Sequence, residues 1–369
     1  MTGKHAGQMR GEGVSVLWAV RSPCNLGCRY CYFGTIEEHR QTPPGGTGVL
    51  SHLSHTDLDL DTILAFVATL PSSRVGRIFL AGGELLIWRH ALTLIEAIAA
   101  TGVQTVLCTN GIPLNRPDNV AAILEFGVAA VSVSLDSAEA DHNDIYRPAR
   151  GTGVGFADVL TGIQALLRAR GTRSRPRVGI YSVITRRNID AIESVAGLAA
   201  DLGCDYFVPQ PISLASDHPL HRELSLTVGD AARLRAALAR LYAARLSADR
   251  PLALPAASYP GQFLAATGEA GPSLMRACFG GRDLFFIEPD GSVWDCPSAL
   301  RIAATRPNAY RTIAGHTAAE VYTAPTGNND CPLFSVDCVN MWPLMGFSGF
   351  LHTATGGRDA VEDAVEVHP

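Results

Sequence analysis

The sequence predicts an α/β protein built on a parallel sheet covered by helices. Two observations carry that expectation. Through the first two-thirds of the 369 residues, short apolar runs rich in strand-formers alternate with longer runs whose apolar residues fall at helical spacing. With 47% hydrophobic and 18% charged residues, the chain also has the composition of a compact globular protein, long enough for one large domain with an attachment or for two ordinary ones.

The strand runs, in order, are residues 15–20, 77–81, 104–109, 129–135, 178–184 and 205–210. Between them, residues 60–70, 90–101, 120–126, 156–170 and 189–202 show helical periodicity. Six strand–helix repeats in one direction imply a parallel sheet with helices laid over it. Sheets of this kind receive their ligands at the C-terminal ends of the strands.

The loop after the first strand reads CNLGCRYCYFG, and puts Cys24, Cys28 and Cys31 at C-x3-C-x2-C spacing. Nine cysteines in the chain are too few for a disulfide scaffold, yet three fall within eight positions. A closed zinc site needs four ligands and usually takes them as two separated pairs. Three clustered thiolates suit an iron–sulfur cubane whose fourth iron is left open to a non-protein ligand. A fragment of a structural zinc site is the alternative.

These residues resemble the radical S-adenosylmethionine (SAM) superfamily. In that family the C-x3-C-x-aromatic-C motif holds three irons of a 4Fe-4S cluster and SAM chelates the fourth, with the aromatic residue, here Tyr30, beside the adenine. The resemblance implies a partial (β/α)6 TIM-like barrel over residues 15 to about 212. Gly82-Gly83-Glu84 after the second strand resembles the family's GGE motif, in which backbone groups and the carboxylate receive the SAM amino group. Asn110 follows the third strand. Ser134 and Asp136 after the fourth are similar to the motif placed near the SAM ribose, although Asp136 also suits a helix cap. In the stretch from His142 to Arg150, Arg147 is the expected partner of the SAM carboxylate. Gly151, Gly153 and Gly155 follow no strand and read as a flexible turn rather than a phosphate loop.

Beyond residue 213 the alternation stops. His218 and His221, three apart, read either as ligands or acid/base groups or as exposed loop histidines. Residues 227–247 are strongly helical and 252–272 a Pro-, Gly- and Ala-rich connector. A hairpin follows, with Pro289-Asp290-Gly291 as its turn and Cys278 and Cys296 at its flanks. A short helical pattern around residues 317–322 precedes Cys331 and Cys338.

The spacing Cys278 … Gly291-x4-Cys296 … Cys331 resembles the Twitch and SPASM extensions that hold auxiliary clusters. Four cysteines match the one-cluster Twitch form, so a C-terminal Twitch-like hairpin and helix extension with a second 4Fe-4S cluster is implied. Cys331 and Cys338 are wider apart than the pattern, which leaves the fourth ligand open, and four thiolates would also make a zinc site. Cys108 and Cys204 read as buried small hydrophobes. The resulting division is a tail to residue 14, the barrel over 15–225, a helix and connector over 226–272, the auxiliary domain over 273–345 and a tail over 346–369.

A net charge of −5 gives no general pull towards nucleic acid or anionic membrane. The basic run from Arg168 to Arg177 reads as a solvated loop. The first residues lack an apolar signal region and no later run reaches 18 uncharged apolar residues, so a cytoplasmic protein is expected, where clustered thiols mean metal rather than disulfides.

The resemblance implies a radical SAM enzyme. One electron from a donor such as flavodoxin or ferredoxin would cleave SAM to methionine and a 5′-deoxyadenosyl radical, which abstracts hydrogen from the substrate. Only about 14 residues precede the first strand, which favours a small molecule over a peptide. The segment around Cys331 and Cys338 is similar to decarboxylases of nucleoside sugar acids such as cytosylglucuronate, and one-cluster relatives include aminocyclitol dehydrogenases of antibiotic pathways. A sugar-, nucleoside- or cyclitol-like substrate, decarboxylated or dehydrogenated, is therefore expected. Arg276 or Arg282 is a candidate clamp for a carboxylate, and His316 or Asp295 a candidate base. A peptide maturase and a non-catalytic zinc protein are the alternatives.

Overall fold

The computed structural model describes residues 13–33, 57–149, 155–247, 251–268, 277–298, 311–322, 330–331 and 334–352. Gly151, Gly153 and Arg276 lie outside them. The first part alternates as the sequence predicts: β1 (Val14–Arg21), α1 (Leu60–Val67), β2 (Val75–Gly82), α2 (Ala91–Ala100), β3 (Gln104–Thr109), α3 (Pro117–Glu125), β4 (Ala130–Ser134), α4 (Ala140–Tyr146), α5 (Phe156–Arg170), β5 (Arg177–Ile184), α6 (Ile192–Leu202) and β6 (Tyr206–Pro211). After these come α7 (His221–Leu224), α8 (Ala231–Ser247), α9 (Tyr259–Ala265), β7 (Leu284–Ile287), β8 (Ser292–Trp294), β9 (Arg311–Thr312), α10 (Ala318–Val321), α11 (Val336–Met345) and α12 (Ser348–Leu351).

The strands lie in one sheet of order β6-β5-β4-β3-β2-β1-β7-β8-β9. From β6 to β7 every neighbour is parallel. The hairpin is thus not separate from the barrel. Its first strand pairs with β1, from Ser15 opposite Leu284 to Trp18 opposite Ile287, and becomes a seventh parallel strand. The sheet stays open, with β6 at one end.

Alternating side chains give the sheet two apolar faces. Val16, Trp18 and Val20 of β1 join Ile78 and Leu80 of β2 under α1, α2, α3, α5 and α6. Trp18 meets Phe66 of α1 edge-on at 5.9 Å. Asp59 caps α1 by accepting from Thr62 N at 2.8 Å. The other face holds Leu17, Phe79, Tyr206 and Phe286, and its helical cover is α11 and α12, through Met341, Leu344, Phe347 and Phe350. Burying each of these large side chains contributes about 1.5–3 kcal/mol. Phe347 and Phe350, expected in a tail, are therefore core, buried at 0% and 2% exposure.

Two further expectations change. Arg177 is not in a solvated loop: it begins β5, pairs with Asp205 at 3.0 Å and donates to the Phe350 carbonyl at 3.1 Å. The 252–272 connector contains α9, and Ala253 extends the sheet edge by pairing with Tyr206.

Candidate functional site

The three clustered cysteines stand where β1 ends, at the C-terminal rim. Their loop is held by backbone bonds to the chain leaving α4: Gly27 N donates to the Pro148 carbonyl at 2.8 Å and Arg29 N to the Tyr146 carbonyl at 2.9 Å. On the other side, Gly82 and Gly83 admit it closely. A Cβ at Gly83 would lie 2.1 Å from the Pro23 carbonyl oxygen, and Gly82 has a φ of +118°. Two sequence-distant segments thus clamp the loop.

A cavity of 220 Å³ opens beside it, lined by Cys24, Cys28 and Cys31 together with Tyr30, Gly82, Gly83, Asn110, Ser134 and Arg147. Sequence reasoning named all of these. Asn110 Nδ2 donates to Asn25 Oδ1 at 2.7 Å and approaches Cys24 Sγ at 3.9 Å, and Arg147 Nη1 approaches Cys28 Sγ at 3.9 Å. Burial pushes the Cys24 thiol up to about 12. A metal ligand must be the thiolate, so this burial opposes ligation unless a bound cation offsets it.

Glu84 and Asp136 stand behind this wall instead of on it. Glu84 is 1% exposed, and its carboxylate, expected to meet a ligand ammonium, accepts from Leu86 N at 3.1 Å, Thr109 Oγ1 at 2.9 Å and Asn110 N at 2.7 Å. Burial raises it to about 7, opposed by those bonds. It braces the turns after β2 and β3. Asp136, fully buried, accepts from the Tyr30 hydroxyl at 2.7 Å and Val183 N at 2.7 Å, and pairs with Arg147. It orients two cavity residues and caps no helix.

A second group forms on the inner face. Cys278, Cys296, Cys331 and Cys338 line one small cavity with Ser298 and Asp337. Cys338 sits in the first turn of α11 and Cys331 in the extended chain before it, so a helix start lies between them and both reach the same cavity. The Cys278 thiol is raised, first by its hydrogen bond with Cys331 and then by burial.

The donor chemistry of both groups fits iron–sulfur clusters. None of the nine cysteines forms a disulfide. Among the described residues no three His, Cys, Asp or Glu side chains are grouped to hold one metal ion.

The structure also places the remaining candidates. His218 is buried and its Nδ1 accepts from Leu220 N at 3.1 Å, so it is not an exposed loop residue, while His221 opens α7. His316 is exposed, Asp295 pairs with Arg311, and Arg282 is exposed and pairs with Asp283. None of the three lines the large cavity. Residues that sequence reasoning did not assign to it, Cys108, Tyr181, Gln210, Asn340 and Met341, do line it. Position at the C-terminal end of a strand marks Cys108 and Gln210; nothing local marks Asn340.

Comparison with known proteins gives a consistent result. The family model described as the Radical SAM superfamily matches residues 22–199. An AdoMet-dependent heme synthase of Oleidesulfovibrio alaskensis is 27% identical over 188 residues, which is 51% of this chain and 42% of that protein. The mycofactocin maturase MftC of Mycolicibacterium smegmatis is 24% identical over 287 residues, 78% of this chain and 65% of that one. The chain thus spans less than two-thirds of the length of either relative. The crystal structure of Streptococcus suis SuiB bound to S-adenosylmethionine has the same fold, with a TM-score of 0.60 at 13% identity, covering 85% of this chain and 67% of SuiB. Among the described residues no helix is long and apolar enough to cross a membrane.

Proposed function

We propose, on the match of residues 22–199 to the radical SAM superfamily, that the chain uses SAM to abstract a hydrogen atom from a sugar-, nucleoside- or cyclitol-like small molecule. The observation that carries this is the cavity itself: three cysteines, two glycines and the Tyr30–Asp136–Arg147 group converge on one enclosed space at the strand ends. Superfamily members use a 4Fe-4S cluster and SAM. When bound, that pair supplies reductive cleavage of SAM and a radical able to take hydrogen from an unactivated C–H bond.

The chain's own residues have three tasks in this reading. Cys24, Cys28 and Cys31 hold the cluster, and Cys278, Cys296, Cys331 and Cys338 hold an auxiliary one. Tyr30, Asn110, Ser134 and Arg147 position SAM, with Asp136 fixing Tyr30 and Arg147 and Glu84 fixing Asn110. Leu17, Phe79, Met341 and Leu344 give the chamber dry walls that exclude water from a reactive species. The chamber has hydroxyl and amide groups at Ser132, Ser134, Tyr181, Ser213 and Gln210, which suits a hydrogen-bonding substrate. Dehydrogenation or decarboxylation is the outcome proposed, with a flavodoxin- or ferredoxin-type donor.

Peptide modification is the second reading, supported by the likeness to a protein named a maturase. The test is anaerobic incubation of the reconstituted protein with SAM and dithionite, measuring methionine and 5′-deoxyadenosine. Equal formation of both, lost in Cys31→Ala, is expected. A protein that carries zinc and cleaves no SAM would contradict the reading. A small precursor peptide that changes mass under turnover conditions would favour the second.

A further inference from the structure

Asn340 and Tyr181, two residues of the cavity lining, each hold a buried polar atom with no hydrogen-bond partner among the described residues. Helix α11 lies against the end of β6: Gln210 Nε2 donates to the Asn340 carbonyl at 3.2 Å, and Asn340 Nδ2 donates to the Pro211 carbonyl at 3.2 Å. The second bond fixes the amide's orientation, because a carbonyl can only accept; Oδ1 is therefore the end left over. Asn340 is 6% exposed, and its Oδ1 has no hydrogen-bond partner among the described residues. The Tyr181 hydroxyl on β5 is in the same condition. Both residues line the cavity of the three cysteines. A buried polar atom left without a partner lowers stability, and a ligand group bonding there removes that penalty.

Charge narrows what that ligand is. Among the described residues lining the cavity, Arg147 is the one charged side chain, and it is paired with Asp136. Ser132 Oγ and the Tyr206 hydroxyl share a bond of 2.8 Å, and the remaining polar lining is hydroxyl and amide. A carboxylate near Asn340 would meet the negative end of an amide dipole, and Arg77, whose charge acts on Tyr181, does not line the cavity and donates to Gln104 and Ser348.

We propose that Asn340 and Tyr181 form a specificity subsite for a neutral polyhydroxylated small molecule. Asn340 Oδ1 accepts from one hydroxyl of the ring and the Tyr181 hydroxyl bonds a second. The proposal rests on the small-molecule reading above and selects a neutral ring over a sugar acid. It also gives α11 two duties, since the helix that carries Cys338 carries the substrate contact two residues later.

The test is a saturation-transfer NMR titration of the anaerobically reconstituted holoprotein with SAM present. Myo-inositol and methyl β-D-glucopyranoside are the neutral probes and D-glucuronate the anionic one. The neutral probes should bind, glucuronate at least roughly tenfold more weakly, and Tyr181→Phe and Asn340→Ala should each weaken the neutral probes by roughly tenfold. Tyr181→Phe should leave the thermal midpoint unchanged or raised, since it deletes an unpaired hydroxyl and keeps the ring. Glucuronate binding as tightly as the neutral probes, neutral probes that do not bind, or unchanged affinity in Tyr181→Phe overturns the subsite. Reductive SAM cleavage followed in the same samples separates the two levels. Cleavage without polyol binding discards the subsite and keeps the radical SAM reading; wild-type protein that cleaves no SAM discards both.

Discussion

Tyr32 and Asp337, 305 positions apart, meet in a hydrogen bond of 3.2 Å from the tyrosine hydroxyl to Asp337 Oδ1. Tyr32 follows Cys31 and Asp337 precedes Cys338, so this bond joins the two cysteine groups. Asp337 is 2% exposed and also accepts from Ser213 Oγ at 2.8 Å and Ser298 Oγ at 2.5 Å. One carboxylate thereby ties the first cysteine loop, the end of β6 and the hairpin to the start of α11.

Asp337→Ala removes the acceptor of the Tyr32, Ser213 and Ser298 hydroxyls, of which Ser298 keeps Ser335 Oγ at 3.2 Å. It should cost about 2–4 kcal/mol in denaturant melts. Iron analysis of the reconstituted variant should show a larger loss from the Cys278–Cys338 group than from the Cys24–Cys31 group, because α11 bears Cys338. Equal iron in variant and wild type would contradict the tethering role.

Asp136→Asn should be the most disruptive single change at the large cavity. It removes the counter-charge of Arg147, whose side chain is 13% exposed, and leaves a buried guanidinium uncompensated. A loss of about 3–5 kcal/mol in stability is expected, with SAM binding by equilibrium dialysis weakened at least tenfold. Restored binding in an Asp136→Glu variant would separate charge from shape.

Gly83→Ala should act on the cysteine loop without touching a cysteine. The added Cβ would lie 2.1 Å from the Pro23 carbonyl oxygen and 2.5 Å from that of Ser22, so the chain leading to Cys24 must move. Reduced iron loading at the first group with the second unaffected is expected from EPR of the reconstituted variant. Wild-type loading would show that the loop tolerates the shift.

Much of this arrangement was legible in the sequence, and the exceptions have physical reasons. The six strands and their helices were readable because apolar runs of strand and helix length alternate without interruption. The three-cysteine loop was readable because its cysteines are close in sequence. Helix α11 was not, since Asp337, Cys338, Asn340 and Met341 are all buried and it therefore shows no amphipathic stripe, while Pro343 lies within it. That concealed Asp337 and Asn340 together. The pairing of β7 with β1 was equally hidden, because a hairpin signal says nothing about which distant edge it joins. Glu84 was placed on the wall by its motif, yet its partners, Thr109 and Asn110, come from the next strand and turn it away.

Glu288 offers a test by pH. It is 4% exposed, accepts from Trp294 Nε1 at 2.6 Å, and burial raises its carboxyl from 4.5 to about 7. The folded form keeps its proton to higher pH than the unfolded form, so this group lowers stability as pH rises from about 4.5 to about 7 and the penalty is complete above that. Glu288→Gln should therefore stabilise the protein at pH 8 by about 1–3 kcal/mol more than at pH 5, measured by urea unfolding. An effect independent of pH would contradict the shift.

The central claim, two iron–sulfur groups on one open barrel, is tested most directly by iron and sulfide analysis with EPR after anaerobic reconstitution. Wild type should hold about eight irons, and the Cys24/Cys28/Cys31→Ala variant about four with reductive SAM cleavage abolished. Zinc in place of iron at either group, or a triple variant that still cleaves SAM, would contradict it.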